Sequence, residues 1–209
     1  MKTRLVIIRH GNTFLPQDTP TRIGARTDLD LVETKKGTAA GEYLLKKDVV
    51  PDVIYSGPLK RHRQTAELIC QAIDMSCADI KTEHWLNEID YGVDENKTET
   101  EIFYRLGNGD ANKGQQIIDL WNKKAVVPDG WLVNPESLKQ RWHELANSIV
   151  DEHLHKTALL VSSNGTMRFS YVLDQFFQYH NLRVPTGGIC FFEWDGKNWK
   201  CVEWGIIPT

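Results

Sequence analysis

Near its N-terminus the chain reads Leu5-Val6-Ile7-Ile8-Arg9-His10-Gly11-Asn12-Thr13, four apolar residues followed at once by arginine, histidine and glycine. A short apolar run bounded by turn residues is typical of a strand that is buried on both faces of a parallel sheet. Two later runs share this form: residues 53–56 lead into a Gly-Pro turn, and residues 158–161 lead into residues 162–165. The sequence therefore predicts three buried strands that each end in a polar, glycine-containing turn.

Helical patterns lie between the predicted strands. The clearest one covers about residues 59–73, where apolar side chains recur on one face. A second helix is expected to begin at Pro135 or Glu136 with Asn134 as its N-cap, and a third is expected over about residues 166–179. Strands that alternate with helices in this way predict an α/β fold.

Two further segments have their own patterns. Residues 189–194 and 199–206, joined by a four-residue turn, are typical of a β-hairpin. Residues 95–133 contain scattered glycine and proline, and we expect an irregular insertion there that covers a pocket. With 209 residues, 41% of them hydrophobic, the chain can bury one substantial core, so we expect a single domain over residues 1–209 that carries this insertion.

Composition and charge argue against some classes of partner. The chain has 25 Lys and Arg against 28 Asp and Glu, and the resulting net charge of -3 provides no field that would attract nucleic acid. Residues 5–8 are too short an apolar run for a signal peptide, and no stretch reaches the roughly 18 apolar residues of a membrane-spanning helix. We therefore expect a cytoplasmic protein that binds neither nucleic acid nor membranes. A homodimer is compatible with this sequence, which leaves the oligomeric state open.

The polar turns after the strands are the expected site, because ligands of open α/β sheets bind beyond the carboxyl ends of the strands. Arg9 offers a planar fork of donors suited to phosphate, Gly11 lets the backbone approach closely, and His10 can act as a nucleophile near neutral pH. After the second strand, amide donors at a helix N-terminus favour anions, and Arg61 can add a second guanidinium. Each cluster alone is more typical of structural or solvated residues; together they indicate a phosphoryl site.

Three blocks of the chain resemble, in order and spacing, the histidine phosphatase (phosphoglycerate mutase-like) superfamily. Residues 5–13 resemble its strand and R-H-G signature, residues 56–66 its S-x-L-x-R-A-x-Q-T-A segment, and residues 86–98 its L-x-E-x-D-F-G-x-W-E-G-x-T segment. Residues 161–168 match its V-S-H-G-G-x-x-R segment in part. The blocks span most of the chain, and the resemblance implies a three-layer α/β/α sandwich with a mostly parallel sheet.

The resemblance also implies a role for each matched residue. His10 would attack phosphorus and carry the phosphoryl group, while Arg9 and Arg61 would hold its oxygens. Glu88 would protonate the leaving oxygen, which requires a raised pKa and predicts an acid-shifted activity optimum. The implied substrate-binding residues are Arg9, Gly11, Asn12, Thr13, Arg61, Ser163 and Asn164. The resemblance implies neither a metal ion nor a cofactor, and the expected partner is a small phosphorylated substrate.

The fourth block departs from the family where a second histidine is usual. Ser163 stands there, followed by Asn164 in place of a glycine. Serine donates a neutral hydrogen bond worth about 1 kcal/mol, against about 1.5 to 3 kcal/mol for a charge-assisted one, so phosphoryl transfer is expected to slow on the order of tenfold. Asp94 and Asn96 replace a tryptophan and a glycine of the third block, and we expect them to alter the pocket wall.

Three functions are compatible with these residues. We prefer a metal-independent phosphomonoesterase that uses a phosphohistidine at His10, because the segment between Glu88 and Pro135 is short for a mutase-type insertion. A mutase would instead exchange phosphate between positions of one substrate with little release to water. A pseudoenzyme would bind phosphate or vanadate without turnover because of Ser163, and Ser163→His would then restore release.

Overall fold

The computed structural model describes residues 2–208. Its strands are β1 (Thr3–Arg9), β2 (Val53–Ser56), β3 (Lys81–Thr82), β4 (Thr157–Ser162), β5 (Ile189–Trp194) and β6 (Trp199–Ile206). Its α-helices are α1 (Lys35–Lys46), α2 (Lys60–Ala72), α3 (Glu99–Leu106), α4 (Ala111–Lys124), α5 (Pro135–Glu152) and α6 (Asn164–Met167). The three predicted buried strands, β1, β2 and β4, are therefore confirmed.

The strands form a six-stranded sheet, as far as residues 2–208 show, in the order β3-β2-β4-β1-β5-β6. The strands from β3 to β1 are parallel to their neighbours, whereas β5 is antiparallel to both β1 and β6. The hairpin of β5 and β6 is confirmed. Because β1 and β4 are adjacent and parallel, with Arg9 opposite Ser162, the turns that follow them lie side by side at one edge of the sheet.

The sheet is covered on both faces, which gives the predicted three-layer α/β/α architecture. Alternate residues of β1 point to opposite sides, as the pleat of a strand requires. Leu5 and Ile7 belong to the core that includes residues of α3, α4 and α5, whereas Val6 and Ile8 belong to the core under α1 and α2. All four side chains are fully buried, so a continuous apolar run is what this position demands.

Two of the three predicted helices are confirmed. Helix α2 begins after an extended Leu59 and ends at Ala72, close to the predicted range. Helix α5 begins at Pro135, and the side chain of Asn134 caps it by accepting a hydrogen bond from the Ser137 amide. None of the helices within residues 2–208 combines the length and the apolar composition that crossing a membrane demands.

The prediction of one helix over residues 166–179 is wrong. Helix α6 ends at Met167, a 3-10 helix continues over Arg168–Leu173, and the chain then leaves helical geometry. The Asp174 carboxylate explains the end, because it accepts hydrogen bonds from the amides of Phe176 and Cys201 and so ties the chain to β6. Side chains that bind nearby amides compete with helical hydrogen bonding in this way.

The prediction that residues 95–133 are irregular is also wrong, because they contain α3 and α4. Thr98 and Glu101 form a capping box at the start of α3, and the Asp110 side chain caps α4. One of the glycines that made the segment look irregular, Gly114, serves the packing of these two helices. A Cβ at Gly114 would lie 1.9 Å from the Phe103 carbonyl oxygen, so only glycine permits this approach of α4 to α3.

Candidate active site

A cavity of about 500 Å³ opens beyond the ends of β1 and β4. Its wall includes four arginines and three carboxylates, with polar groups from several loops. The lining includes Arg9, His10, Arg22, Glu88, Asn164, Arg168 and Arg183. Cavities of this size with convergent polar groups are typical of small-molecule sites.

The His10 imidazole is positioned as a neutral nucleophile. Its Nδ1 lies 2.7 Å from the Gly11 carbonyl oxygen. A carbonyl only accepts, so the proton is on Nδ1 and the lone pair is on Nε2. Burial, reinforced by the positive charges of Arg61 and Arg9, lowers the pKa of His10 well below its ordinary value. The ring is therefore neutral at neutral pH, the state in which imidazole can attack phosphorus.

The positive charges of the two predicted phosphate-binding arginines both act on His10. Arg9 lines the cavity, donates from Nη1 to the Val184 carbonyl at 2.7 Å, and has its pKa lowered to about 10 by burial. Arg61 is fully buried behind the cavity wall and donates to the carbonyls of Thr27 at 2.7 Å and Gly24 at 3.3 Å. The charge of Arg61 is the strongest single charge acting on His10. The structure thus brings both guanidinium groups to the neighbourhood of His10, Arg9 at the surface of the cavity and Arg61 beneath it.

The Glu88 carboxyl group shares the cavity with His10 and is 7% exposed. Burial raises its pKa, against the opposing effect of backbone hydrogen bonds and of Arg61 and Arg9. Its oxygens accept from the amides of Ile89 at 2.8 Å and Gly165 at 3.3 Å. A carboxyl group that is buried beside a cavity and holds its proton above the ordinary pKa range suits general acid chemistry.

Gly165 makes room for Glu88, and this leads to a prediction. A Cβ at position 165 would lie 2.1 Å from Glu88 Oε1 and 2.6 Å from the Ile89 side chain. Gly165→Ala is therefore expected to displace the carboxyl group, lower kcat, and reduce the free energy of unfolding by about 1 to 3 kcal/mol, the usual cost of overpacking. Kinetics with an alkyl phosphate and denaturant unfolding measure the two effects.

Gly41→Ala serves as the matched control. A Cβ there would lie 2.6 Å from the Ala72 Cβ, a comparable clash between α1 and α2 that is remote from Glu88. It should reduce stability and leave kcat unchanged. Equal losses of kcat in the two variants would contradict the claim that the missing side chain at Gly165 makes room for Glu88.

Ser163 and Asn164, the departures from the family pattern, have separate surroundings. Ser163 is fully buried, and its Oγ lies 2.6 Å from Nε2 of His62 on α2. Asn164 lines the cavity, and its side-chain Oδ1 accepts from the Val184 amide at 2.8 Å. Of these two residues, Asn164 is at the cavity, whereas Ser163 is not among the residues that line it and is paired with a second imidazole that neighbours His10.

The remaining residues of the first block support the loop around His10. The Gly11 amide donates to Thr65 Oγ1 at 3.1 Å, which links the loop to α2. Asn12 Oδ1 accepts from Thr186 Oγ1 at 2.6 Å, and Asn12 also lines the cavity, as Thr13 does. Of these three predicted binding residues, Asn12 and Thr13 line the cavity, whereas Gly11 does not and binds Thr65 and His10 through its backbone.

The departures in the third block act through packing. The Asp94 carboxylate is 1% exposed in its side chain and binds Arg105, with Nε to Oδ1 at 2.6 Å, and the Trp131 indole at 2.7 Å. Asn96 has a φ of 61°, a backbone conformation that glycine adopts most readily and asparagine tolerates.

Glu95, which lies between these two positions, supports Arg61. Its Oε1 accepts from the Gly24 amide and the Thr27 hydroxyl. Because the Gly24 and Thr27 carbonyls hold Arg61, Glu95 supports that guanidinium indirectly.

Sequence reasoning assigned no role to three arginines of the cavity wall. Arg22 lies over the rings of Tyr91 and Trp131, with its guanidinium carbon 5.1 Å and 4.9 Å from their centroids. Arg168 donates to the Trp121 carbonyl at 2.6 Å, and burial lowers its pKa to about 9. Arg183 is exposed at the rim. Only Arg168 had a sequence signal, the final arginine of the fourth block; the other two lie in loops without a motif.

Comparison with known proteins agrees with this geometry. The model of the histidine phosphatase superfamily (branch 1) matches residues 5–207. A 2,3-bisphosphoglycerate-dependent phosphoglycerate mutase of Bifidobacterium longum is 30% identical over 130 residues, which cover 61% of this chain and 49% of that protein. Phosphoglycerate mutase 1 of Saccharomyces cerevisiae is 27% identical over 117 residues, 56% of this chain and 47% of that protein. The chain thus spans about half the length of these curated relatives.

Solved structures share the fold over nearly the whole chain. A mycobacterial glucosyl-3-phosphoglycerate phosphatase complexed with VO3 has a TM-score of 0.75 at 19% identity, covering 97% of this chain and 98% of that one. A phosphoserine phosphatase of Entamoeba histolytica has a TM-score of 0.69 at 20% identity, with coverages of 97% and 96%. These identities establish likeness of fold, and the family match covers the strands, the helices and the cavity described above. The chain belongs to the histidine phosphatase superfamily.

Proposed function

We propose that this protein is a phosphomonoesterase that transfers the phosphoryl group of a small phosphorylated metabolite to His10 Nε2 and then to water. The observation that carries the proposal is the state of His10, whose Nδ1 proton is held by the Gly11 carbonyl while Nε2 keeps its lone pair. In the first step the Nε2–P bond forms, the P–O ester bond breaks, and the leaving oxygen takes the Glu88 proton. In the second step a water oxygen forms a bond to phosphorus, the Nε2–P bond breaks and returns its electron pair to His10 Nε2, and Glu88 accepts a proton from the attacking water.

The arginines supply the charge that this reaction needs. Arg9 and Arg61 would neutralise the phosphoryl oxygens in both steps, and their fixed positions avoid reorganisation as charge moves. No step of the proposal uses a metal ion or a cofactor. The cytoplasmic location expected from the sequence is part of the same proposal.

The cavity also favours a substrate with a second anionic group. Arg22, Arg168 and Arg183 line it in addition to Arg9, an excess of guanidinium over what one phosphate requires. Arginine is suited to planar carboxylates as well as to phosphates. Glucosyl-3-phosphoglycerate and phosphoserine, named for two structural neighbours, are phosphate esters that carry a carboxylate. We propose a phosphorylated carboxylic acid as the substrate class.

Arg22→Ala tests this substrate class. It is expected to raise KM several-fold for a phosphorylated carboxylic acid, because one charge-assisted hydrogen bond is worth about 1.5 to 3 kcal/mol before solvent screening. The KM for p-nitrophenyl phosphate, which has no carboxylate, should stay the same. Steady-state kinetics with both substrates measure the ratio, and an equal rise of both KM values would contradict a carboxylate contact at Arg22.

Because Ser163 stands where the family has its second histidine, a phosphate-binding pseudoenzyme is the second candidate function. Pure protein incubated with p-nitrophenyl phosphate and a chelator separates the two. We expect phosphate release for the enzyme, whereas the pseudoenzyme would bind orthovanadate in calorimetry without releasing phosphate. A mutase would move phosphate between positions of a phosphoglycerate faster than it releases phosphate to solution, which phosphorus NMR of the products detects.

A further inference from the structure

A second histidine is buried beside the first and takes no part in the proposed reaction as described above. His62 on α2 is fully buried, and its ring centroid lies 5.6 Å from that of His10. Its Nε2 lies 2.6 Å from the Ser163 hydroxyl oxygen, at the end of β4 and 101 residues away in sequence. Two departures from the family segments thus meet: His62 stands where the second block has alanine, and Ser163 where the fourth block has histidine.

The fit between these residues indicates that His62 on α2 compensates for the loss of the histidine at position 163. A Cβ at Gly57 would lie 2.2 Å from His62 Nδ1, so the absence of a side chain at Gly57 makes space for the ring. On the other side, the short Ser163 side chain lets the His62 ring approach, with 2.6 Å between Nε2 and Oγ. The site therefore keeps two imidazoles, and the second one comes from α2 instead of from the end of β4.

The hydrogen bonds of His62 indicate which ring nitrogen carries its proton. Burial and the neighbouring Arg61 charge lower the pKa of His62 well below its ordinary value, so the ring is neutral. Nδ1 has no hydrogen-bond partner among residues 2–208. A buried N–H without a partner is rare in proteins, which favours the tautomer with the proton on Nε2. His62 then donates to Ser163 Oγ, and the serine proton remains free for another acceptor.

We propose that His62 is a positioning residue that holds and polarises the Ser163 hydroxyl, and that this pair replaces the single second histidine of the family at the phosphoryl group. Ser163 donates its hydroxyl proton to a phosphoryl oxygen beside His10, and the bond from His62 strengthens that donation, because hydrogen bonds in series polarise one another. No covalent bond to His62 or Ser163 forms or breaks. The inference rests on the proposed phosphohistidine reaction.

Two variants at position 62 separate this role from simple filling of space. His62→Gln keeps an amide donor within reach of Ser163, whereas His62→Leu fills a similar volume without a donor. With p-nitrophenyl phosphate we expect His62→Leu to lower kcat about tenfold and His62→Gln to lower it much less, as the loss or retention of one hydrogen bond implies. The melting temperatures of the two variants should be similar. An unchanged kcat in His62→Leu would overturn the inference.

A double variant that places an imidazole at position 163 and removes it from position 62 tests whether the two positions share one role. Ser163→His alone should lose activity, because the incoming ring collides with His62. The combination His62→Ala with Ser163→His should recover kcat to the level of the unmodified protein or above it. If the double variant is no more active than Ser163→His alone, the two positions do not share one role and the inference fails.

Two additions keep the test decisive. If His62→Leu does not fold, Ser163→Ala takes its place, since it keeps the ring and removes only the hydroxyl; an unchanged kcat there also overturns the inference. If the unmodified protein releases no phosphate, the proposed function fails on its own. The same variants are then compared by orthovanadate affinity in calorimetry, where weaker binding by His62→Leu than by His62→Gln supports the inference and equal binding overturns it.

Discussion

His10→Ala is expected to abolish phosphate release from any phosphate monoester. Without the imidazole, the phosphoryl group has no nitrogen to which it can be transferred, and Arg9, Arg61 and Glu88 are left around a cavity that binds phosphate without reacting with it. Loss of a covalent nucleophile lowers kcat on the order of 10⁴-fold or more in well-studied hydrolases. The measurement is the steady-state rate of phosphate release, with orthovanadate binding as a check that the anion site persists.

His143→Ala is the matched control for this prediction. His143 is an exposed histidine on α5, so its replacement changes the same residue type without touching the cavity. Its kcat should equal that of the unmodified protein. Residual activity of His10→Ala above a few per cent, with orthovanadate still bound, would show that another group carries the phosphoryl transfer.

The second large effect is expected for Glu88→Gln, and it should depend on the leaving group. An alkyl alcohol leaves poorly without a proton, whereas p-nitrophenolate leaves as a stable anion. Because general acid catalysis contributes about 10² to 10⁴-fold, kcat/KM for an alkyl phosphate, which reports the first step alone, should fall by roughly this factor and kcat/KM for p-nitrophenyl phosphate much less. Equal losses of kcat/KM with both substrates would contradict the role of Glu88 as the acid.

The pH profile of kcat/KM follows from the same two groups. Nucleophilic attack needs neutral His10, and burial with Arg61 and Arg9 lowers its pKa, so the acid limb lies well below the ordinary histidine range. Protonation of the leaving group needs protonated Glu88, and burial raises its pKa, so activity falls as the pH rises through that raised value. The optimum is therefore acid-shifted, and Glu88→Gln should remove the alkaline limb.

Much of the fold could be predicted from apolar runs alone. The strands β1, β2 and β4 are buried on both faces, so each contains a continuous apolar run. The hairpin of β5 and β6 is recognisable from the turn residues between its two strands. The errors have physical causes: glycines that allow α3 and α4 to pack closely resemble loop residues in sequence, and the Asp174 side chain ends the last helix early. Neither cause is visible without the neighbouring segment.

The site was predictable in part, from the motif blocks. The order of the blocks indicated His10, Arg9, Arg61 and Glu88, and the structure brings these side chains to one region. The partner of Ser163 could not be predicted, because a contact across 101 residues leaves no local pattern. The earlier expectation that Ser163→His would restore a weakened site changes accordingly: with His62 in the space, that substitution is now expected to disrupt the site unless His62 is removed as well.

The most direct test of the account is to trap the phosphoryl group during turnover. A phosphorylated substrate mixed with the protein and quenched rapidly should leave an acid-labile, base-stable phosphate on the protein, and peptide mapping by mass spectrometry should place it on His10. A phosphate found on another residue, or steady turnover without any phosphorylated protein under conditions that preserve phosphohistidine, would contradict transfer through His10.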